Sequence, residues 1–385
     1  MVAVVGGTLV VLAVQSPDLS AQSRTESIEV DLQRAEPAKQ NTYRWRLASQ
    51  FPITLPETGT LLAETAGQIE TQSHGTMRLD IIEPKDIAHP LDLFDAVAGG
   101  AFDAAFIWPA TIKGRTAAFE IYGGIPFGPN AAEFLAWHES AGRFLRDELY
   151  HAHNVHGMLC GMTASGGTWF RTNVKQLSDI DRMPVAAFGL AGRTLAQFGA
   201  HPVAIAPAAI GRAYRDHKIV GATILSPVVD RQIMRGSNAK RYAFPSWSQH
   251  WAGLDLIVNL DVWSALSARR RQAIENVCTA NLTTSLAASE AAQYDVLKEM
   301  IKEGIDVRRL PGSLLASFKT AWGEVNDTLQ RDDPEYRRIW VSLASFRKAH
   351  ALWRELTESN PAESNPAESN SAESNSAETN LTSKP

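Results

Sequence analysis

Segments with strand character and segments with helix character alternate along this 385-residue chain. The segment TYRWRLASQF alternates apolar and polar side chains and predicts a strand. Helices predicted at 56–75 and 90–100 separate it from two further strands, MRLDIIEP and AFDAAFI. Strands that alternate with helices need crossover connections, so this order predicts an α/β domain with a largely parallel sheet.

The same alternation continues after a helix-rich stretch, with strands predicted in NVHGMLCGM, MPVAAF, HPVAIAP and KIVGATILS. Apolar residues then recur at helical spacing from Asp261 to Glu303, which predicts one long amphipathic helix. A helix of this length exceeds one small lobe, so we expect it to brace two. The predicted fold class is therefore α/β, with two similar lobes and a long lobe-spanning helix.

These patterns divide the chain into predicted regions. Residues 42–160 form the first lobe, residues 161–260 form the second, and residues 261–356 supply the long helix and the C-terminal helices that complete both. A chain of this length suits about two domains. Its formal net charge is -5, and no strongly basic stretch indicates a nucleic-acid partner.

Both termini differ in composition from the rest of the chain. Residues 2–14 form an apolar run with the length of a signal-peptide hydrophobic region, although no lysine or arginine precedes Arg24. Since this run is too short for an ordinary membrane span, we predict a signal peptide at 1–22, export to the periplasm, and a disordered leader at 23–41. Pentapeptide repeats such as ESNPA at 357–385 offer almost no apolar surface, which predicts a disordered tail.

The segment from Gly161 to Gly199 has the composition of a binding-cleft wall. Glycines that allow close backbone approach precede Trp169 and Arg171, and this combination suits an anionic ligand. A strand with core aromatic residues and a surface arginine is the alternative. Arg193 falls in the first turn of a predicted helix, where free amide groups also favour an anion, although a solvent-facing side chain fits equally well.

A second aromatic segment, the loop PSWSQHW, contains Trp247 and Gln249. Two tryptophans are costly to expose in a loop, so they pack against the protein or against a ligand. The sequence leaves open whether this loop is a lid over a cleft or part of the core.

Motifs for catalysis and for metal binding are missing. The sequence contains no G-x-S-x-G, GxxxxGK[ST], HExxH or GxGxxG pattern, so no cofactor is predicted. The hypothesis that the protein is an α/β enzyme rests on fold class alone. His151, His153 and His156 match no standard ligand spacing, which favours a solvated helix end over a metal site. Cys160 and Cys278 lie in apolar contexts and are interpreted as two buried thiols, with a long-range disulfide as the alternative.

Several motifs, taken in order, resemble the extracytoplasmic solute-binding subunits of tripartite ATP-independent periplasmic (TRAP) transporters, the DctP-type family. They are AFDAAFIWPATIKG, IPFG, GGTWFR, SDIDRM with FGLAG, and YAFPSW with LIVNLDVW, and they cover about residues 43–330. The resemblance implies a class II-like, two-lobe periplasmic binding protein fold with hinge strands. It also implies a binding protein rather than an enzyme, which holds a small organic acid in the cleft and passes it to permease subunits. The subgroup that binds 2-oxo acids is the most similar.

The chain departs from that subgroup at the positions where the resemblance places the substrate. The family's carboxylate-binding arginine aligns with Ala186, and a glutamine of the subgroup aligns with Ser165. A glutamate–tryptophan pair that holds a cation beside the substrate aligns with Thr223 and Ile224. Because a hard cation needs several oxygen ligands, no metal site is expected in this chain.

The predicted substrate-binding residues combine the cleft-wall candidates with these family positions: Trp169, Arg171, Arg193, Ser165, Thr223, Ile224, Trp247 and Gln249. Loss of a buried arginine from a carboxylate site costs a few kcal/mol. Either another arginine therefore replaces it, or the ligand differs from a simple 2-oxo acid. A degenerate homologue that acts as a sensor or an interaction protein is the alternative function, and the oligomeric state stays open, with a homodimer as one option.

Overall fold

A computed structural model describes residues 42–357 of the chain. Its first α/β unit consists of β1 (Tyr43–Ser49), α1 (Gly59–Gln72), β2 (Met77–Ile82), α2 (Leu93–Ala98) and β3 (Ala104–Ile107). Strand β1 lies between β2 and β3 and runs parallel to both, as crossover helices require. The predicted signal peptide, the leader and the tail beyond Thr357 lie outside the described residues.

A series of short helices connects β3 to the next strand. Two 3₁₀ helices (Pro109–Thr111 and Ala117–Tyr122) are followed by α3 (Ala131–Trp137), a π-helical turn (His138–Gly142), α4 (Arg143–His151) and then β4 (Val155–Ala164). The Asn130 side chain accepts a hydrogen bond from the Glu133 amide at 2.8 Å and caps the start of α3. The sequence AAEFLAWHESAGRFLRDELY has the pattern of one helix throughout, and the π turn divides it into two.

The second α/β unit forms around a separate sheet. Its elements are β5 (Thr168–Phe170), β6 (Pro184–Ala186), α5 (Gly189–Ala196), β7 (His201–Pro202), α6 (Pro207–Arg215), β8 (Gly221–Thr223), α7 (Pro227–Ile233) and β9 (Arg241–Ala243). The strands in HPVAIAP and KIVGATILS are therefore shorter than their apolar runs predicted. Prolines at the first position of α6 and α7 fix where each helix begins.

The chain then returns to the first sheet and ends in helices. The remaining elements are β10 (Trp251–Asn259), α8 (Leu260–Ser264), α9 (Ala268–Lys302), β11 (Asp306–Arg308), α10 (Gly312–Asp332) and α11 (Pro334–Thr357). The single helix predicted from Asp261 to Glu303 is wrong at its start, because Asn259 caps the separate short helix α8. None of the helices described between residues 42 and 357 is long and apolar enough to cross a membrane.

Two sheets form the centres of two lobes, in the orders β2-β1-β3-β10-β4 and β11-β9-β5-β8-β6-β7. Strand β10 is antiparallel to both β3 and β4 in the first sheet, whereas the sequence placed residues 251–259 in the second lobe. Pairing between strands so far apart in the chain leaves no local sequence signal. The chain crosses between the lobes in the connection from β4 to β5 and again in the connection from β9 to β10.

Glycines make the first of these crossings possible. A Cβ atom at Gly166 would lie 1.4 Å from the carbonyl oxygen of Leu225, so no other residue fits there without displacing the backbone. A Cβ atom at Gly167 would lie 2.4 Å from the Tyr242 ring. The glycine pair of the GGTWFR motif therefore serves close packing of the protein backbone, rather than the approach to a ligand that the sequence suggested.

Helix α9 packs along the edge strand β4 and contacts elements of both lobes, including α1 and α7. The amides of Met162 and Ala164 on β4 donate to the hydroxyls of Ser285 and Ser289 on α9, at 2.9 and 2.8 Å. These hydroxyls satisfy amides that have no neighbouring strand on that side. We call this contact, between residues 155–164 and 268–302, the β4–α9 seam.

The seam is also covalent. Cys160 on β4 and Cys278 on α9 form a disulfide across a sequence separation of 118 residues. The interpretation of these cysteines as two free buried thiols was wrong about their chemistry, although both side chains are buried. The direct packing of α9 on β4, which the sequence did not reveal, brings them together.

The two C-terminal helices lie on different lobes. Helix α10 packs on α5 of the second lobe, and α11 packs on α3 and on the 3₁₀ helix at residues 117–122 of the first lobe. Trp322 of α10 contacts Trp340 of α11 edge to face, with ring centroids 5.7 Å apart. The helix pair thus bridges the lobes.

Candidate functional site

A cavity of about 330 Å³ lies between the two lobes. The first lobe supplies residues 110–114 and Glu120, and the second supplies the start of α5 together with Pro202 and Ala204. At the start of α5, Gly189 has a φ angle of 51°, and a Cβ atom there would lie 3.2 Å from Ala110. Glycine therefore lets the second lobe approach the first at this point. We call this space the interlobe cavity.

An ion pair crosses the interlobe cavity from one lobe to the other. Arg193 on α5 donates from Nε to Glu120 Oε2 at 3.0 Å and from Nη2 to Oε1 at 2.9 Å. The Arg193 side chain is 44% exposed, whereas that of Glu120 is 5% exposed. Burial raises the pKa of Glu120, although the arginine opposes this shift, and the bond to Glu120 raises the pKa of Arg193. The guanidinium thus stays charged and is held in one orientation.

Three of the positions where the family resemblance places the substrate have neutral, packed side chains. Ala186 and Ile224 are buried side chains with no polar group. Thr223 forms a hydroxyl–hydroxyl hydrogen bond of 3.0 Å with Thr168 on the neighbouring strand. No cationic side chain stands at these positions, so they supply no contact for a carboxylate.

Ser165 and Gln249 form hydrogen bonds with backbone carbonyl groups near the crossings between the lobes. The Ser165 hydroxyl donates to the Gln249 carbonyl at 3.1 Å, and the Gln249 side-chain amide donates to the Ile224 carbonyl at 3.3 Å. The first bond joins the β4–β5 connection to the β9–β10 connection, and the second joins the β9–β10 connection to the segment after β8. Neither residue lines the interlobe cavity.

Two aromatic residues that the sequence analysis did not single out close off the deep part of the cleft. Trp108 from the first lobe and Phe188 from the second meet edge to face, with ring centroids 5.3 Å apart. Gln50 accepts a hydrogen bond from the Trp108 amide and donates one to the Thr111 hydroxyl, each at 2.8 Å. It therefore fixes the segment that forms the cavity's first wall.

Glu120 could have been noticed in the sequence. It is the one charged residue in the run AAFEIYGGI, and such a residue in a buried segment needs a partner of opposite charge. Gln50, Trp108 and Phe188 carry no comparable signal, because their importance depends on which distant segments face each other.

Of the eight predicted site residues, Arg193 alone lines the interlobe cavity, and three of the others pack elsewhere within the protein. Trp169 is buried against Tyr242 within the second lobe, with ring centroids 4.7 Å apart. Arg171 donates to the Tyr214 carbonyl and lies over that ring at 4.3 Å. Trp247 is buried against Phe318 of α10. For the two tryptophans, the alternative that the sequence left open, packing within the protein, describes the structure. Arg171, for which the alternative was a surface position, is partly buried against Tyr214.

A second polar contact between the lobes lies near the seam. Glu57, in the loop before α1, accepts hydrogen bonds from the Ser226 hydroxyl of the second lobe and, at 2.9 Å, from the Gln293 amide of α9. Burial raises the pKa of Glu57, and these hydrogen bonds partly offset the shift. The carboxylate therefore ties the first lobe to the start of α7.

Other clusters of polar side chains lie inside the first lobe. Arg146 and Asp255 form a fully buried ion pair of 2.8 Å, in which Tyr150 also donates to the carboxylate. His156 stacks on Trp263 with ring centroids 4.0 Å apart, so the predicted solvated helix end is in part a packed one. Between residues 42 and 357, no group of three or more His, Cys, Asp or Glu side chains is arranged to hold a metal ion.

Comparison with known proteins agrees with this architecture. Over 341 residues the chain is 22% identical to a monocarboxylate 2-oxoacid-binding periplasmic protein of Nostoc sp., covering 88% of this chain and 91% of that protein. A TRAP transporter solute-binding protein from Bordetella bronchiseptica, with calcium and picolinate, superimposes with a TM-score of 0.78 at 24% identity, covering 87% and 98% of the two chains. One from Pseudoalteromonas atlantica, with sodium and pyruvate, gives 0.78 at 22% identity, covering 82% and 97%.

These structural similarities establish the two-lobe fold. The family is established independently, because residues 54–332 match the model of the bacterial extracellular solute-binding proteins of family 7, DctP. That match spans more than half of the chain and includes the second lobe, most of the first lobe and the residues that line the interlobe cavity. The protein therefore belongs to the DctP family of bacterial extracellular solute-binding proteins.

Proposed function

We propose that this protein binds a small organic acid in the interlobe cavity and delivers it to the membrane subunits of a TRAP-type transporter. Family membership supports the binding role. The ligand class is supported by relatives, since the Nostoc protein is named for 2-oxo acids and solved relatives contain picolinate, pyruvate or malonate. These ligands favour uptake over the alternative of a degenerate homologue with a sensor role.

The observation that carries this proposal is that both lobes supply walls of one cavity. A ligand held between residues 110–114 and the start of α5 contacts both lobes at once. Such a ligand binds the form in which the lobes meet more tightly than the form in which they are apart. Binding therefore shifts the population toward the closed form, which is the form that a transporter can distinguish from the free protein.

The charges at the cavity suit an anion. Two cationic side chains, Lys113 and Arg193, line it together with a single acid, Glu120. The ammonium group of Lys113 is 3.0 Å from Asp92 and 59% exposed, which places it at the rim. Arg193 faces the cavity itself. Among the eight predicted site residues, it is the one we propose as a direct ligand contact.

The remaining parts of the proposal concern place and partners. A signal peptide at residues 1–22 would export the chain to the periplasm, where relatives of this family act. Permease subunits in the membrane would receive the ligand unchanged, because the family and fold are those of binding proteins rather than enzymes. The protein thus contributes affinity and a change of shape, and no covalent step.

A thermal-shift screen of the purified mature chain against small organic acids and their neutral amides tests the proposal. A ligand present at about one hundred times its Kd stabilises the native state by about 2.7 kcal/mol, which raises the Tm by several degrees. We expect at least one acid, and not its amide, to produce this shift. The proposal is contradicted if no organic acid in the panel raises the Tm.

A further inference from the structure

We infer that Arg193, oriented by Glu120, is the carboxylate contact of this protein, and that the interlobe cavity selects an organic anion with an apolar body over a short 2-oxo acid. This inference rests on the proposed function and adds the position of the anion and the class of ligand. It does not follow from the relatives, whose named ligands include pyruvate.

The geometry of the guanidinium leaves one side available. Its Nε and Nη2 atoms donate to Glu120, and Nη1 forms no hydrogen bond within residues 42–357. A guanidinium has five N–H donors in a planar fork, so Nη1 and the second hydrogen of Nη2 can hold a carboxylate in a bidentate arrangement. Because the Glu120 side chain is 95% buried, the fork is already aimed before a ligand arrives.

The deep part of the cleft provides no second place for a carboxylate. Ala186 and Ile224 are buried and apolar, and Thr223 is bonded to Thr168. The edge-to-face pair of Trp108 and Phe188 occupies the space between the lobes there. An anion that enters between the lobes therefore meets Arg193, whereas the other cation of the lining, Lys113, is paired with Asp92 at the rim.

The donors around the cavity do not suit a bound metal ion either. Of the lining residues, Glu120 is the single carboxylate, and its oxygens already accept from Arg193. A hard cation needs six or so oxygen ligands. We therefore expect the ligand carboxylate to be neutralised by the guanidinium rather than shared with a cation.

The size and walls of the cavity set the rest of the ligand. Its volume of about 330 Å³ lies at the lower end of the range of about 300–1,000 Å³ for sites that hold drug-sized ligands, so it has room for a larger body than that of a three-carbon acid. Apart from Thr111 and the charged residues, the lining side chains are apolar and include Ile112, Phe188, Ala196, Pro202 and Ala204. A short acid would leave these walls in contact with water, whereas an aromatic or branched body removes apolar surface from water and gains affinity.

Isothermal titration with three probes tests the inference on the purified mature protein. Phenylacetate has the charge and an apolar body, pyruvate has the charge with a short body, and phenylacetamide has the body without the charge. We expect phenylacetate to bind at least tenfold more tightly than either of the others. In Arg193→Gln, we expect phenylacetate affinity to fall about tenfold to a hundredfold, since a charge-assisted hydrogen bond is lost.

Two further variants serve as controls. Arg212→Gln removes another exposed, ion-paired arginine of the same lobe and should leave the affinity unchanged. Arg193→Lys keeps the charge but lacks the planar fork, so we expect an affinity between those of the wild-type protein and Arg193→Gln. This variant also tests the inference if Arg193→Gln folds poorly.

The outcomes distinguish a failure of the inference from a failure of the proposed function. Equal affinity for pyruvate and phenylacetate, or phenylacetate binding that is unchanged in both Arg193 variants, overturns the inference and leaves the proposed function standing. If neither these acids nor any other organic acid binds to the wild-type protein, the proposed function itself fails.

Discussion

The β4–α9 seam and the interlobe cavity hold the lobes together by different means. At the seam, a disulfide and two hydroxyl–amide hydrogen bonds join β4 to α9, and Cys160, Cys278 and Ser289 are buried. At the cavity, the polar link is one ion pair whose arginine is 44% exposed. Contacts that are covalent or fully desolvated do not separate without unfolding, whereas an ion pair whose arginine is half exposed can be replaced by water when the lobes move apart.

This difference indicates where the molecule bends. Two of the connections between the lobes leave β4 and enter β10, which are neighbours in the first sheet, and β4 is held by the seam. The cavity lies where the lobes meet through Ala110, Gly189 and the Glu120–Arg193 pair. We therefore expect the seam to move as one rigid part of the first lobe while the cavity widens and narrows.

Removal of the disulfide should have the largest effect on stability. The double variant Cys160→Ser/Cys278→Ser loses a cross-link that spans 118 residues, and we expect its unfolding free energy to fall by about 2–5 kcal/mol. Urea unfolding measures this. A reductant should destabilise the wild-type protein and leave the double variant unaffected. Equal stability of the wild-type protein and the double variant in the absence of reductant would contradict the seam's role.

The buried carboxyl group of Asp230 on α7 should make the unfolding free energy depend on pH by a few kcal/mol. Asp230 accepts hydrogen bonds from the Leu225 amide at 2.9 Å and the Tyr242 hydroxyl at 2.7 Å, and burial raises its pKa to about 7. The ordinary value is 3.8, so between about pH 4 and 7 the folded protein keeps a proton that the unfolded chain releases. The contribution of this group to stability is therefore full at the acid end and is lost as the pH rises through the window.

The variant Asp230→Asn removes that proton equilibrium. Its unfolding free energy, measured in urea at several pH values, should decline less between pH 4 and 7 than that of the wild-type protein, by a few kcal/mol. Parallel pH profiles for the two proteins would show that Asp230 is ionised in the fold.

The hydroxyl contacts of the seam should contribute less than the disulfide. Ser289→Ala leaves the buried Ala164 amide without an acceptor, and we expect a loss of about 1–3 kcal/mol. Thr284→Ala on the exposed side of the same helix is the matched control, because its hydroxyl bonds only to its own helix, and it should change stability by less than about 0.5 kcal/mol. Similar values for both variants would contradict the assignment of the hydrogen bond to the seam.

The ion pair at the cavity should matter least for stability, in contrast to its proposed effect on binding. For Arg193→Gln we expect a loss of about 1 kcal/mol or less, since the arginine is half exposed and glutamine can still donate to Glu120. Chemical unfolding without ligand tests this. A loss as large as that of the disulfide variant would mean that the cavity is a structural contact rather than a releasable one.

The sequence predicted the class and order of the elements because these depend on local periodicity. The strand from Tyr43 and the helices predicted at 56–75 and 90–100 all follow from residues within a few positions of each other. The family resemblance had the same basis, since it rested on short motifs in a fixed order. Both the fold class and the family are confirmed.

The site was harder to predict because its residues meet only after long-range packing. Trp169 and Arg171 resemble ligand contacts in the sequence, yet they pack on Tyr242 and Tyr214. The partner of Arg193 lies 73 positions earlier in the chain. Likewise, the disulfide and the membership of β10 in the first sheet depend on contacts that no local pattern encodes.

The most direct test of the account measures the distance between the lobes as ligand is added. Spin labels at His89→Cys in the first lobe and Gln197→Cys in the second use exposed positions and avoid the native cysteines, which are paired. We predict that the distance distribution is broad without ligand and becomes shorter and narrower with a saturating organic acid. A distribution that stays the same when a ligand binds would contradict the claim that the solute is clamped between the lobes.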